Sequence, residues 1–134
     1  MACRITEIVV DSRDPRSLAA WWAQVLGFEV LGEEDDGSVE IGPPGYEPQG
    51  EQPTLVFGPV DDPTPGKLRW HVDVNATDQD QDAELRRLLA LGAVPAGVGQ
   101  TGEESWHVLA DPEGNEFCLL AGRVDPLSAP APRR

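Results

Sequence analysis

Residues 111–120 read DPEGNEFCLL, a turn-forming stretch that passes directly into an apolar strand. Asp, Pro, Gly and Asn are favoured in tight turns, and the apolar residues that follow predict a strand. Side chains alternate between the two faces of a strand. Phe117 and Leu119 are therefore predicted to pack beneath a helix, and Cys118 to point to the other side.

Composition and charge restrict the class of protein. The chain has 134 residues, of which 40% are hydrophobic and 25% charged, as expected for one globular domain. Its 24 acidic and 10 basic residues give a net charge of −14. The electrostatic field of so negative a chain repels phosphate backbones and anionic lipid surfaces. We therefore expect no nucleic-acid partner and no membrane partner. With no signal sequence and no apolar run of about 18 residues, a cytoplasmic location is expected.

The two cysteines argue against a disulfide framework. Cys3 and Cys118 share no close spacing, and neither belongs to a Cys-x-x-Cys pair. Each is expected to be a small, partly buried apolar side chain.

The chain also contains an internal duplication. EIVVDSRDPRSLAAWWAQVLGFEV, which starts at Glu7, aligns with HVDVNATDQDQDAELRRLLALGAV, which starts at His71. In both copies an alternating stretch leads to an Asp, Asp14 or Asp78, and then to a helical pattern that ends in Leu-Gly. The repeat predicts one domain, residues 1–122, built from two modules, 4–60 and 67–122, with a disordered tail over 123–134.

Each module reads as a strand, a helix and three further strands. In the first module Asp14 and Pro15 predict a helix start, Gly27 predicts its end, and one buried stripe lies between. The predicted strands of this module are Ile5–Val10, Phe28–Leu31, Ser38–Ile41 and Thr54–Phe57. Those of the second are Arg69–Val74, Val94–Val98, Trp106–Ala110 and Phe117–Leu120. Its helix is predicted to bury Leu85, Leu88 and Leu89 and to place Arg86 and Arg87 in water.

Taken together, the two βαβββ modules, the Trp-Trp pair before VLGFEV, the string RWHVDV and DPEGNEFCLL resemble the vicinal oxygen chelate superfamily. This is the glyoxalase, bleomycin-resistance and extradiol dioxygenase group, and the likeness is greatest to its small bacterial glyoxalase-like proteins. The resemblance covers roughly residues 4–122. It implies an α+β fold of the glyoxalase/bleomycin-resistance/dihydroxybiphenyl-dioxygenase type, in which the modules form a barrel around a central cavity. It leaves open whether modules pair within one chain or across a homodimer.

The resemblance also implies where a metal would bind. Metal-using members take ligands from the first and last strands of each module, and the matching positions here are Glu7, His71 and Cys118. Metal enzymes of the group carry a Glu where this chain has Cys118. Three protein ligands and a water form a catalytic zinc site. As alternatives, Cys118 closes the cavity wall as a small apolar residue, and His71 hydrogen-bonds Glu7 as a structural pair or as a general base and acid.

Other side chains are predicted to face the cavity or to avoid it. Trp106 would supply a flat aromatic wall, Tyr46 would cover the mouth as a lid, and Val56 and Cys118 would line the interior. Trp70, which alternates with His71, is predicted to face the core. His107 is predicted to lie on the side of Leu109, away from the cavity.

The leading functional expectation is a protein that binds a small molecule, either as a ligand binder or as an enzyme without a complete metal site. In it, Glu7 and His71 supply polar recognition or acid/base chemistry. Two alternatives stay open. One is a metal-dependent lyase, isomerase or dioxygenase that uses Glu7, His71 and Cys118, so that the cofactor is either none or a divalent metal. The other is a drug-sequestering protein like the bleomycin binders, for which the net charge favours a cationic guest.

Overall fold

The computed structural model describes residues 2–46, 51–66, 68–96 and 103–127. It divides into two compact units, one formed by the chain up to Thr64 and the other by Pro65–Pro126. Each unit contains one helix and one four-stranded sheet, so the α+β class and the two βαβββ modules are confirmed. Within the described ranges, neither helix combines the length and the apolar character needed to cross a bilayer.

The first module has the predicted order of elements. They are β1 (Glu7–Ser12), α1 (Pro15–Leu26), β2 (Glu29–Glu33), β3 (Val39–Gly42) and β4 (Thr54–Pro59). The sheet order is β1-β4-β3-β2, with β1 parallel to β4 and the other neighbours antiparallel. The first strand therefore lies beside the last strand, although the helix and two other strands separate them in sequence.

Helix α1 begins and ends where its sequence predicts. The carboxylate of Asp14 accepts a hydrogen bond from the backbone N–H of Ser17, and Pro15 occupies the first turn. Gly27 follows the helix with φ of 68°, a left-handed conformation that glycine adopts without steric cost. The buried stripe contains Leu18, Ala19, Trp21 and Trp22. It packs the helix against β3 and β4.

The second module repeats this topology. Its elements are β5 (Val72–Val74), α2 (Gln81–Ala90), β6 (Val94–Pro95), β7 (His107–Ala110) and β8 (Glu116–Leu119). The sheet order is β5-β8-β7-β6, and β5 runs parallel to β8. The last part of the predicted strand Val94–Val98 lies outside the described residues, as do residues 128–134 of the predicted tail.

Helix α2 has a clear N-cap and corrects one sequence expectation, the burial of Leu89. Its N-cap is Asp80, whose carboxylate accepts a hydrogen bond from Ala83 N at 2.9 Å, and not the Asp78 that aligns with Asp14. Its buried positions are Glu84 and Leu88, one helical turn apart, whereas Leu89 is 39% exposed. A residue next to a buried position is rotated by about 100° around the helix, which turns Leu89 towards solvent.

Arg87 is not the freely solvated side chain that the sequence predicted. It is half-buried and ion-paired with Glu84 one turn earlier, and Gln79 Nε2 donates to the same carboxylate at 3.3 Å. A buried carboxylate requires such partners because desolvation without them is costly. The charge pattern of the helix therefore includes an ion pair between a half-buried guanidinium and a buried carboxylate.

Trp70 is also placed differently from the prediction, since 87% of it is exposed. The alternation rule assumed a strand from Arg69, but the strand begins only at Val72. Trp70 precedes the ladder, so the alternation of β5 does not determine its direction.

The turn before β8 is built around the buried side chain of Asp111. Its Oδ1 accepts hydrogen bonds at 2.9 Å from the backbone N–H groups of Glu113 and Asn115. Both Asp111 carboxylate oxygens also accept from Asn115 Nδ2, and Gly114 takes φ of 88°. The DPEGN sequence thus fixes the direction in which β8 starts.

Candidate functional site

The two faces of the second sheet have different environments. Leu109, Phe117 and Leu119 form the core face and are at most 1% exposed. On the other face, the strand register aligns Asp73 of β5, Cys118 of β8 and Val108 of β7 in one row. This register places one carboxylate and one thiol side by side on a rigid sheet.

A groove of about 370 Å³ lies on this second face. Its apolar lining consists of Leu68, Trp106, Val108 and Leu120, and Phe117, whose side chain packs on the core face, also borders it. Its polar lining consists of His71, Asp73, Glu116 and Cys118. Apolar walls with a few convergent polar groups are typical of small-molecule sites.

The polar end of the groove contains a histidine and carboxylate in contact. His71 Nε2 lies 3.2 Å from Asp73 Oδ1, and the two side chains are 53% and 47% exposed. A carboxylate in this position fixes the orientation of the imidazole ring by accepting from its N–H group. The pair can therefore bind a polar ligand group or transfer a proton.

Cys118 completes a cluster with these two residues. One donor atom each from His71, Asp73 and Cys118 lies within 4.8 Å of the other two. Cys118 is only 9% exposed, so the thiol is recessed while the imidazole and the carboxylate reach solvent. Imidazole, carboxylate and thiolate are all metal ligands, and three of them leave a fourth tetrahedral position open.

The first module lacks an equivalent cluster at the matching register positions. There Val9 and Val56 are paired across β1 and β4, as Asp73 and Cys118 are paired across β5 and β8. Glu7, which aligns with His71, starts β1 and is exposed beside Thr54. Thr54 is buried and donates its hydroxyl hydrogen bond to Glu40 Oε2 at 2.7 Å. The two modules have the same strand arrangement. At these paired positions, however, the first module has two valines, whereas the second has a carboxylate and a thiol that can bind a polar group or a metal.

The structure distributes the residues predicted for the site between the two modules. Trp106, His71 and Cys118 line the second-module groove, and His107 lies on the opposite side of β7 from Val108, as alternation predicts. Val56 lies in β4, and the half-buried Tyr46 lies in the loop that follows β3. The roles given to Glu7, Val56 and Tyr46 stay predictions.

Asp73 is the residue that the sequence analysis missed. It stands two positions after His71 in RWHVDV, and this spacing places both side chains on one side of an extended chain. The alternation could therefore have paired Asp73 with His71. Its proximity to Cys118 could not have been found in this way, because it depends on the pairing of β5 with β8.

The fold, with parallel first and last strands in each module and a groove on one sheet face, defines the class of protein. It is that of the glyoxalase/bleomycin resistance/dioxygenase superfamily, the vicinal oxygen chelate group. Residues 7–120 match the family model described as a glyoxalase-like domain, and the chain belongs to that family. None of the curated proteins compared with the chain matches it.

Solved structures that share this fold are described as proteins with different roles, including resistance, enzymatic and binding proteins. The genomically encoded fosfomycin resistance protein FosX from Listeria monocytogenes has a TM-score of 0.68 and 16% identity, with 92% of this chain and 94% of that chain covered. A family enzyme from Burkholderia phytofirmans PsJN has a TM-score of 0.65 and 16% identity, with 87% and 97% covered. TnmS3, an antibiotic binding protein from Streptomyces sp. CB03234, has a TM-score of 0.54 and 19% identity, with 89% and 95% covered. Identities this low establish a shared fold alone.

Proposed function

We propose that this protein binds an amphipathic small organic molecule in the groove of the second module, with a cationic or hydrogen-bond-donating group at the polar end. The observation that carries this proposal is a groove with an apolar wall and a His71–Asp73 pair at one end. A ligand that spans both parts gains apolar burial at the wall and a charge-assisted hydrogen bond at the carboxylate.

Charge supports a cationic ligand. Asp73 and Glu116 both line the groove, and the whole chain carries a net charge of −14. Such a field raises the local concentration of cations and repels anions. One structural neighbour is described as an antibiotic binding protein, which supports a binding role for this fold.

The aromatic wall supports a flat ligand. Trp106 lines the groove and is 43% exposed, so its ring is accessible to a guest. Aromatic rings stack on flat apolar surfaces and attract cations to their faces. A planar aromatic amine or guanidine would stack on the aromatic wall and place its charged group at the polar end.

A panel of planar aromatic cations, each paired with a neutral and an anionic analogue of the same shape, tests the proposal. Thermal shift would rank the compounds, and isothermal titration calorimetry would measure the dissociation constants. At a ligand concentration 100 times the dissociation constant, binding stabilises the folded state by about 2.7 kcal/mol. We expect cations to stabilise more than their analogues. Equal shifts for all three charge classes, or none at saturating concentrations, would overturn the proposal.

A second candidate is a metal-dependent lyase, isomerase or dioxygenase of the same superfamily. The cluster of His71, Asp73 and Cys118 favours it, because three donors converge at the polar end. FosX of Listeria monocytogenes has been solved in complex with Mn(II). Turnover of a substrate that depends on added metal, and that is lost in His71→Ala, would favour this candidate over a binding protein. The homodimer and the cytoplasmic location also stay proposals, which light scattering and cell fractionation would test.

A further inference from the structure

We infer that Gln81 is a positioning residue for the groove, which holds the Trp106 wall against the end of β8 and thereby selects flat ligands. Gln81 does not line the groove itself, so it acts through the backbone of residues that do. For the nature of the ligand this inference rests on the proposed function. The anchoring of Trp106 can be tested without any ligand.

The side-chain amide of Gln81 makes two hydrogen bonds from one nitrogen. Its Nε2 lies 2.8 Å from the carbonyl oxygen of Ser105 and 3.3 Å from that of Leu119. A side-chain amide nitrogen carries two hydrogens, one for each acceptor. Because both partners are carbonyl oxygens, the nitrogen of the amide faces them and not its oxygen. The amide therefore ties together two separate stretches of chain.

Both of these stretches border the groove. Ser105 immediately precedes Trp106, which forms the aromatic wall. Leu119 lies between Cys118 and Leu120, which both line the groove. The two hydrogen bonds thus join the wall to the strand end that it faces.

Trp106 lies just outside the sheet, where an additional anchor has an effect. The first register pair of β7 with β8 is His107 with Leu119, and Trp106 precedes it. The ladder therefore fixes the residue on one side of Trp106. The hydrogen bond from Gln81 fixes the carbonyl of Ser105 on the other side.

Gln81 is itself held at a defined place. It is the first residue of α2 and follows the N-cap Asp80, whose carboxylate accepts from Ala83 N at 2.9 Å. Further along the helix, Leu88 is 1% exposed, so the helix is packed into the core. The helix does not require an amide at this position, because Gln, Met and Glu have similar helix propensities.

An anchored ring favours flat ligands over others of the same charge. Trp106 is 43% exposed, and exposed side chains exchange between rotamers unless their surroundings hold them. A ligand that stacks on a mobile ring must order it, which lowers the affinity. A saturated cation that uses only the polar end is not affected in this way. Gln81 therefore contributes to the preference between flat and non-flat cations.

Fluorine NMR of the full chain labelled with 5-fluorotryptophan tests the anchoring without a ligand. Gln81→Met and Gln81→Glu both remove the two donors. An acidic residue in the first turn favours a helix, so a common effect of the two variants is not due to a weakened helix. We expect the Trp106 resonance to change in both variants and the Trp70 resonance to stay in place, with Trp106→Phe and Trp70→Phe as assignments. A Trp106 resonance identical to that of the wild type in either variant, or equal changes at Trp70, would overturn the inference.

Titration calorimetry with an aromatic amidine and its saturated cyclic analogue tests the selectivity. In both Gln81 variants the preference for the aromatic cation should fall about two- to tenfold, the cost of ordering one side chain on binding. The added charge of Gln81→Glu acts equally on the two cations. Asp82→Asn, at an exposed position of the same first turn, should leave the preference unchanged.

The outcomes separate this inference from the proposed function. A preference that is unchanged in the Gln81 variants, or that falls as much in Asp82→Asn, would overturn the inference while the wild type still binds. If the wild type binds neither cation, the proposed function fails, and the fluorine spectra still decide whether Gln81 anchors Trp106.

Discussion

His71 Nε2 lies 3.2 Å from Asp73 Oδ1, and Asp73 in turn is the register partner of Cys118 on the neighbouring strand. The sheet thus joins a local pair, two residues apart in sequence, to a thiol from the end of the chain. The resulting cluster lies at the polar end of a groove with a largely apolar wall. The proposed ligand binding and the metal-dependent alternative both depend on this arrangement.

The first prediction concerns the aromatic wall. Trp106→Ala should weaken binding of a cationic aromatic ligand about tenfold or more, equivalent to 1.4 kcal/mol, because the ring provides the wall surface. Trp70→Ala is the matched control, since Trp70 is 87% exposed and does not line the groove. Titration calorimetry on both variants would measure the difference. Equal losses in the two variants would contradict the assigned wall.

The second prediction concerns the helix caps. Asp14→Ala and Asp80→Ala should each lower the free energy of unfolding by about 1 kcal/mol, because each carboxylate accepts a backbone N–H at a helix start. Asp78→Ala should change it by less than about 0.5 kcal/mol, as for a surface position without a capping role. Urea unfolding followed by circular dichroism measures all three. A loss in Asp78→Ala as large as that in Asp80→Ala would argue against the observed cap.

The third prediction concerns the turn before β8. Asp111→Ala should lower the free energy of unfolding by about 2–3 kcal/mol, because a buried carboxylate that accepts several hydrogen bonds is lost. Pro112→Ala, at an exposed position of the same turn, should cost no more than about 1 kcal/mol. Chemical denaturation would compare the two variants. Similar losses would show that the carboxylate does not organise the turn.

The fourth prediction concerns pH and the acidic turn between β2 and β3. Hydrogen bonds from the backbone N–H and the side chain of Ser38 lower the pKa of Asp36 from its usual 3.8. A lowered folded-state pKa stabilises the fold fully above the unfolded value, and the contribution is lost as the pH falls through the folded value. The difference in unfolding free energy between the wild type and Asp36→Asn should therefore shrink below pH 3.8.

Asp35→Asn provides the control for this pH effect, because it removes the adjacent charge of the same turn. Unfolding curves at neutral and acid pH would be recorded for both variants. A stability difference for Asp36→Asn that does not change with pH would contradict the assignment. The expected effect is small because Asp36 is exposed to solvent.

The sequence predicted most of the fold because its signals are local. Asp14 and Gly27 bracket α1 through backbone contacts within a few residues, and DPEGN closes its turn through Asp111 and Asn115. The predictions were wrong where a periodic pattern was extended beyond the strand or the helix face to which it applies. Trp70 was assigned to a strand that begins only at Val72, and Leu89 was assigned to a stripe that follows Glu84 and Leu88.

The amino-acid sequence alone determined the duplicated βαβββ modules, the family, and His71 and Cys118 as candidate site residues. The tertiary structure decided that Asp73 joins them, and that the first module has Val9 and Val56 at the same register positions. The reason is physical. Turn and cap hydrogen bonds connect near neighbours in the chain, whereas parallel pairing of β5 with β8 depends on the helix and strands between them. Only the folded sheet brings the carboxylate and the thiol together.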